Sequence, residues 1–287
     1  MKLECIALKK NYGKHMAIES VDYCFTPGVY GLLGPNGAGK STWMKILTDS
    51  IRPTDGKVIW NGQTIYSNTA EYIKSIGYVP QNQNIYPYFT GLRFLYYMSS
   101  LKGVRKEDAD RQIPYLLKKV NLLECAERKI FSYSGGMKQR LLIAQAFLGN
   151  PGIILMDEPT AGLDPKERIR IRNLVSEMAI DKIVLIATHV VSDIEFISKE
   201  IILMKKGRII GRGAAEELEN MIDGYVYEEA VSEEELEGFI RTKLVAGIRK
   251  ESNRIIVRYI SEDDGSAGSK ARPNLDDVYL YHFKEAL

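Results

Sequence analysis

Hydrophobic positions in this chain follow two rhythms. Early on they alternate with polar ones. Val21, Tyr23 and Phe25 fall on one face of a strand and Asp22 on the other, and Lys57-Val-Ile-Trp-Asn-Gly-Gln-Thr-Ile65 reads as a hairpin turning at Asn61-Gly62 as a type I′ pair. Such strands predict an antiparallel layer. Later the apolar runs are continuous: residues 153–156, 183–186 and 201–204. A strand that is apolar at every position is covered on both faces, which predicts a parallel sheet inside an α/β fold.

Between about residues 85 and 150 the spacing becomes helical, with Leu116, Leu117, Val120 and Leu123 on one stripe, and an inserted helical subdomain is expected there. Lys205-Lys-Gly-Arg208 has the composition of a closing hairpin turn. Near residue 216 the composition shifts. Ser232 followed by three glutamates predicts a capped helix start, Val257 and Tyr259 alternate with Arg258 in a strand, and residues 261–273 read as a polar loop. Asn274-Leu-Asp-Asp-Val278 opens a last helix. The expected division is a main domain over residues 1–215 and a small α+β unit over 216–287.

With 287 residues, 45% hydrophobic and 26% charged, the chain has the make-up of a globular protein large enough for a full core and a small second unit. A net charge of +2 is too small to argue for nucleic acid as the main partner. Three scattered cysteines, Cys5, Cys24 and Cys125, lack metal spacing and suit a reducing cytoplasm. No signal peptide is visible and no apolar run reaches the roughly 20 residues of a membrane span. The expected location is therefore cytoplasmic.

Candidate chemistry begins at Gly34-Pro-Asn-Gly-Ala-Gly-Lys-Ser-Thr42, which satisfies G-x-x-x-x-G-K-[ST] between a strand-like run and a helix start. Glycines at such positions let backbone N–H groups turn toward a polyphosphate, and the helix N-terminus adds partial positive charge. Asn36, Gly37, Ala38, Gly39, Lys40, Ser41 and Thr42 are the expected nucleotide-binding set. Lys40 reaches the β/γ-phosphates and the Ser41 hydroxyl serves Mg²⁺. Downstream, the run ending in Asp157-Glu158 places a candidate Mg²⁺ carboxylate beside a candidate general base for the attacking water. Ser134-Gly-Gly-Met-Lys-Gln-Arg140 is a capped, glycine-rich helix start, and its backbone N–H groups at Gly135 and Gly136 make a second anion site.

These features occur in a fixed order with Ala161-Gly-Leu-Asp164 and a strand-terminal His189. Together they resemble the nucleotide-binding subunit of an ABC transporter over about residues 1–215. The resemblance implies a P-loop NTPase of ABC type: an α/β, RecA-like core with an antiparallel β layer and a helical subdomain, plus the C-terminal α+β extension. It implies ATP and Mg²⁺ as cofactors and Mg²⁺-dependent ATP hydrolysis by a dimer. Gln81 then links the metal site to the helical insert and His189 contacts the γ-phosphate and Glu158. Tyr12 stacks on adenine, and Asp164 crosses to the second subunit, whose site is completed by Ser134, Gly135 and Gly136.

Tyr133 and Met137 stand where the family usually has leucine and glutamine. The Met-Lys-Gln-Arg ending resembles ATPases serving multidrug, antibiotic and polysaccharide exporters with a separate permease, and Pro273-Asn-Leu-Asp-Asp-Val-Tyr279 resembles a short motif at the end of such subunits. Partners so implied are an integral-membrane permease and a second copy of itself or a homologous ATPase, with no nucleic acid. An importer subunit, a soluble non-transport ATPase and a non-catalytic regulatory module are the alternatives.

Overall fold

The computed structural model describes residues 1–81, 85–251, 254–263 and 268–284, which form two compact units, Met1–Ile210 and Gly211–Leu287. The first unit opens with β1 (Leu3–Tyr12), β2 (His15–Phe25) and β3 (Gly28–Leu33), followed by α1 (Lys40–Leu47). Next come β4 (Asp55–Trp60), β5 (Gln63–Thr64), α2 (Thr69–Lys74) and β6 (Ile76–Val79). Three helices follow, α3 (Gly91–Leu101), α4 (Lys106–Lys119) and α5 (Gly135–Ala146). Then come β7 (Ile153–Asp157), α6 (Pro165–Met178), β8 (Ile183–Thr188) and β9 (Glu200–Lys205), and the strand β10 (Arg208–Gly213) runs across the end of the unit at Ile210.

One ten-stranded sheet runs β5-β4-β1-β2-β10-β9-β3-β8-β7-β6. β1 pairs antiparallel with β2 and β4. The β4–β5 turn is the expected one, with both Asn61 (φ 48) and Gly62 (φ 85) left-handed. β6, β7, β8, β3 and β9 pair in parallel. Residues of β7 and β8 are buried throughout, as their unbroken apolar runs require. Val21, Tyr23 and Phe25 point into the core with Trp43 and Leu32, while Asp22 faces out and accepts the Ala7 N–H.

The segment from residue 85 to 150 is helical, with one correction. Leu116 and Leu117 are buried, but α4 stops at Lys119 and Asn121 turns left-handed (φ 53). That break carries Leu123 into a 3₁₀ turn where it is 48% exposed, and Leu122 takes the buried place instead.

In the second unit, α7 (Ala215–Asn220), β11 (Val226–Val231), α8 (Glu233–Thr242), β12 (Leu244–Glu251), β13 (Arg254–Ile260), β14 (Ser269–Lys270) and α9 (Leu275–Phe283) follow in order. Its sheet runs β12-β13-β11-β14, and α8 lays Leu236 and Phe239 on Val231, Ile255 and Val257. Ser232 caps α8 in a reciprocal box with Glu235, and Asn274 caps α9 in the same way with Asp277. The expected polar loop over 261–273 contains the short strand β14, and its residues 264–267 lie outside the described residues.

Candidate functional site

Register in the parallel sheet brings the candidate residues to one edge. Leu33 on β3 pairs with Thr188 on β8, Ala187 on β8 with Asp157 on β7, and Met156 with Val79 on β6. Each strand therefore ends at the same level. Beyond those ends lie the Gly34 loop, His189, Glu158 and the Pro80-Gln81 turn. Crevices at the carboxyl ends of parallel strands are where α/β sheets bind ligands.

A cavity of about 440 Å³ opens at this edge, lined by Tyr12, Asn36 to Thr42, Gln81 and Glu158 among others. Gly39 precedes α1 at φ 107, and a Cβ there would stand 2.6 Å from the Ala17 carbonyl, so only glycine fits. No side chain caps α1, which leaves its first N–H groups directed toward the cavity end of the helix. The Lys40 ammonium is buried and is held by the carbonyls of Gly34 (2.5 Å) and Pro35 (3.2 Å). Burial lowers its pKa, and the nearby Glu158 and Asp157 carboxylates pull it partly back.

Asp157 is buried, and its Oδ1 has no hydrogen-bond partner among the described residues. Burial raises its carboxyl above the ordinary value, opposed by the Ser41 hydroxyl and by the Lys40 and Lys45 cations. Glu158 is also buried. One of its oxygens, Oε1, lies 2.9 Å from His189 Nδ1 and 3.9 Å from Lys40 Nζ, and Oε2 lies 3.5 Å from the Thr188 hydroxyl. Its backbone is left-handed (φ 50), an unusual state for glutamate, fixed by a Glu158 N–H bond to the Ala187 carbonyl at 2.8 Å.

Tyr12, 47% exposed, borders the cavity with His15, and Lys10 Nζ stands 5.3 Å from its ring. Ser134, Gly135, Gly136 and Asp164 are elsewhere: none lines the cavity. Ser134 caps α5 through the Met137 N–H (3.2 Å), Asp164 caps α6 through the Glu167 N–H (2.9 Å), and Ser134, Gly135 and Asp164 are exposed. Among the described residues no group of three His, Cys, Asp or Glu side chains could hold a metal unaided.

The ABC transporter family model matches residues 18–161. An ABC transporter ATP-binding protein of Bacillus subtilis (strain 168) is 35% identical over 238 residues, covering 83% of this chain and 79% of that one. Nod factor export ATP-binding protein I of Burkholderia orbicola (strain AU 1054) is 31% identical over 290 residues, 95% and 94% of the two chains. This chain belongs to the ABC transporter family, as an ATP-binding subunit.

The chain spans about a quarter of ABC transporter A family member 8 of Dictyostelium discoideum, 37% identical over 198 residues. Among solved structures, a dimeric ATP-binding cassette in a post-hydrolysis state with ADP and Pi is 28% identical, with a TM-score of 0.65 over 74% of this chain and 98% of that one. The present ABC subunit is accordingly an ATP hydrolase with the P-loop fold.

Several residues of this ABC subunit carry structural weight that sequence spacing did not indicate. Arg140, at the end of the Ser134 motif, is buried, donates to the Val120 carbonyl at 3.0 Å and pairs with Glu167 on α6. Glu167 also closes over Gly136, where a Cβ would stand 2.8 Å from its Oε2. Tyr133 is buried, and its hydroxyl donates to the Cys125 carbonyl at 2.7 Å beside Gly91, which gives the departure from leucine a local role. Met137 contributes only its backbone N–H to the Ser134 cap. Thr188, Thr160 and Asp193 form a buried polar cluster behind Glu158. A threonine just before His189 was a faint signal of it, but Asp193 had none.

Proposed function

We propose that this ATPase binds Mg-ATP between two cassettes and hydrolyses it to drive a separate membrane permease, in the export direction. The observation that carries the reading is the Glu158 carboxylate. It sits at the strand ends beside Lys40, with one oxygen engaged by His189 and the other facing the Thr188 hydroxyl.

In this reading the phosphate loop and the N-terminus of α1 hold the triphosphate, and Lys40 exchanges the Gly34 and Pro35 carbonyls for phosphate oxygens. Tyr12 stacks on the adenine. Ser41, Asp157 and Gln81 would hold Mg²⁺. The donor set fits: a hydroxyl, a carboxylate whose buried Oδ1 lacks a protein partner, and an amide at the cavity rim. Hard oxygen donors with few carboxylates suit Mg²⁺ bound together with phosphates. The ion, when bound, neutralises charge developing on the phosphates.

Glu158 orients the water and takes its proton as the water oxygen bonds to the γ-phosphorus and the bond to the β-bridging oxygen breaks, giving ADP and phosphate. His189 holds the carboxylate and reaches the γ-phosphate. Ser134, Gly135 and Gly136 of a second copy approach the same phosphate from the other side, with that copy's Asp164 beside them. The exposure of Ser134, Gly135 and Asp164, away from their own chain's cavity, supports this division.

The nucleotide-binding domain is assigned to residues 1–215 and an accessory α+β domain to 216–287. A permease partner is supported by the ABC transporter family match and by the likeness to a Nod factor export ATP-binding protein. A groove of about 770 Å³ between α2, β6, α3 and α5, lined by Ile73, Tyr86, Phe94, Met98 and Leu101, offers it an apolar seat. The subunit would then work at the inner face of the membrane through that partner. Export is supported by the near full-length match to the Nod factor export protein. ATP hydrolysis measured against protein concentration tests the reading. The rate per chain should rise over the range where dimers form; a flat rate from a chain that stays monomeric would contradict it.

A further inference from the structure

Glu158 sits on a strained turn whose two flanks lead to the same buried acid. Asp193, 5% exposed in the 3₁₀ turn Val191–Asp193, accepts hydrogen bonds on Oδ2 from the hydroxyls of Thr160 and of Thr188 (3.3 Å). Thr160 lies two residues beyond Glu158, and Thr188 ends β8 next to His189. Among the described residues no cation pairs with Asp193. A buried carboxylate satisfied by hydroxyls alone is costly to keep, so its place calls for a use.

We propose that Asp193 is a positioning residue for ATP hydrolysis, gathering the Thr160 and Thr188 hydroxyls so that the left-handed turn at Glu158 and the His189 segment are fixed from one point. The inference rests on the reading of Glu158 as the general base.

Two details specify how it acts. The Thr188 oxygen accepts the Val190 N–H at 3.0 Å, which leaves its single proton to donate. That proton has two carboxylates in reach, Asp193 at 3.3 Å and Glu158 Oε2 at 3.5 Å, and can serve one at a time. By taking it, Asp193 leaves Oε2 of Glu158 with open acceptor sites for a water. Second, the Thr160 bond anchors the chain just past a residue at φ 50, a conformation that persists only where its surroundings over-determine it. The acid's own turn is braced by the Arg172 guanidinium, which donates to the Ser192 carbonyl at 2.9 Å.

The test is steady-state ATPase kinetics and separate ATP-binding measurements on the full chain, comparing wild type with E158Q, D193A, T160V, T160S and the D193A/T160V double variant. D193A should lower kcat about 10- to 100-fold, the scale of a misplaced catalytic group, with KM for ATP and ATP affinity changed less than about threefold. T160V should lose part of that rate, T160S should restore it, and the double variant should be no slower than D193A alone. If D193A does not fold, the T160S–T160V contrast decides. Should E158Q be inactive while D193A and T160V keep kcat within about threefold, or change KM alone, Asp193 is not a positioning residue although the base assignment stands. An E158Q variant that hydrolyses ATP like wild type removes the base assignment and this inference with it.

Discussion

His189 Nδ1 stands 2.9 Å from Oε1 of Glu158, and Lys40 Nζ is 3.9 Å from that same oxygen. Three chain segments from three neighbouring parallel strands thus converge on one carboxylate atom. The convergence follows from strand register and from the loop after β3: Leu33, Thr188 and Asp157 end their strands close to one level, so Glu158 and His189 meet directly and the loop from Gly34 returns Lys40 to them. Moving any of these strands by one residue would turn its terminal side chain to the other face of the sheet.

Tyr12 tests the adenine end of the cavity. Base–aromatic stacking is worth roughly 1–3 kcal/mol per base. Tyr12→Ala should weaken ATP binding by at least about fivefold, and Tyr12→Phe should leave it nearly unchanged. Equilibrium titration with ATP decides, and wild-type affinity in the alanine variant would remove Tyr12 from the site.

The Arg140–Glu167 pair tests what holds the Ser134 helix to the segment after Asp164. The side chains are 7% and 17% exposed. Glu167→Met leaves the buried Arg140 guanidinium without its carboxylate, a loss on the scale of about 3–5 kcal/mol, whereas Arg140→Met leaves Glu167 paired with Arg170 and costs less. Glu167→Met should lower the denaturant midpoint substantially and Arg140→Met less, while the double variant should lose less than their sum. Additive losses would show that the pair is not coupled.

Much of this was legible in the residues themselves. Glycine spacing at 34–39, the unbroken apolar runs and the acids at 157–158 belong to local chemistry that period and turn preference expose. What was not legible depends on register and on contacts between distant segments. Asp193 and Thr160 are 33 residues apart, and nothing in either's neighbourhood announces the other. The left-handed backbone of Glu158 runs against the ordinary preference of glutamate. Leu123 kept the helical period but lost the helix, because Asn121 reverses the chain first. Tyr133 read as a departure from a pattern and proves to be a buried donor to a carbonyl eight residues away.

Lys102 makes stability depend on pH. Its Nζ donates to the carbonyls of Gln145 (3.1 Å), Ala146 (3.2 Å) and Leu148 (3.3 Å) at the C-terminal end of α5, and burial lowers its pKa from 10.5 to about 8. Below pH 8 both folded and unfolded chains carry the proton, and the cost of burying the charge is present. From about pH 8 to 10.5 the unfolded chain holds a proton the folded one has released, so this group's contribution to stability rises with pH. Relative to Lys102→Met, wild type should gain on the order of 3 kcal/mol across that window. Unfolding midpoints of the two at pH 7.5, 9 and 10.5 check it; parallel curves would mean the ammonium is not perturbed.

The most direct measurement of the central claim is chromatography and turnover of Glu158→Gln with Mg-ATP. Glutamine keeps the size of the side chain and removes its proton acceptor. Losing a general base typically costs about 10²- to 10⁴-fold in rate while binding is largely spared. The intact γ-phosphate should then be gripped by the loop of one copy and by Ser134 and Gly136 of the other. The variant should bind ATP, fail to hydrolyse it and elute as a dimer, and adding Ser134→Arg should return it to monomer. A Glu158→Gln protein that turns over ATP at the wild-type rate, or that binds ATP yet stays monomeric at every concentration, would contradict the account.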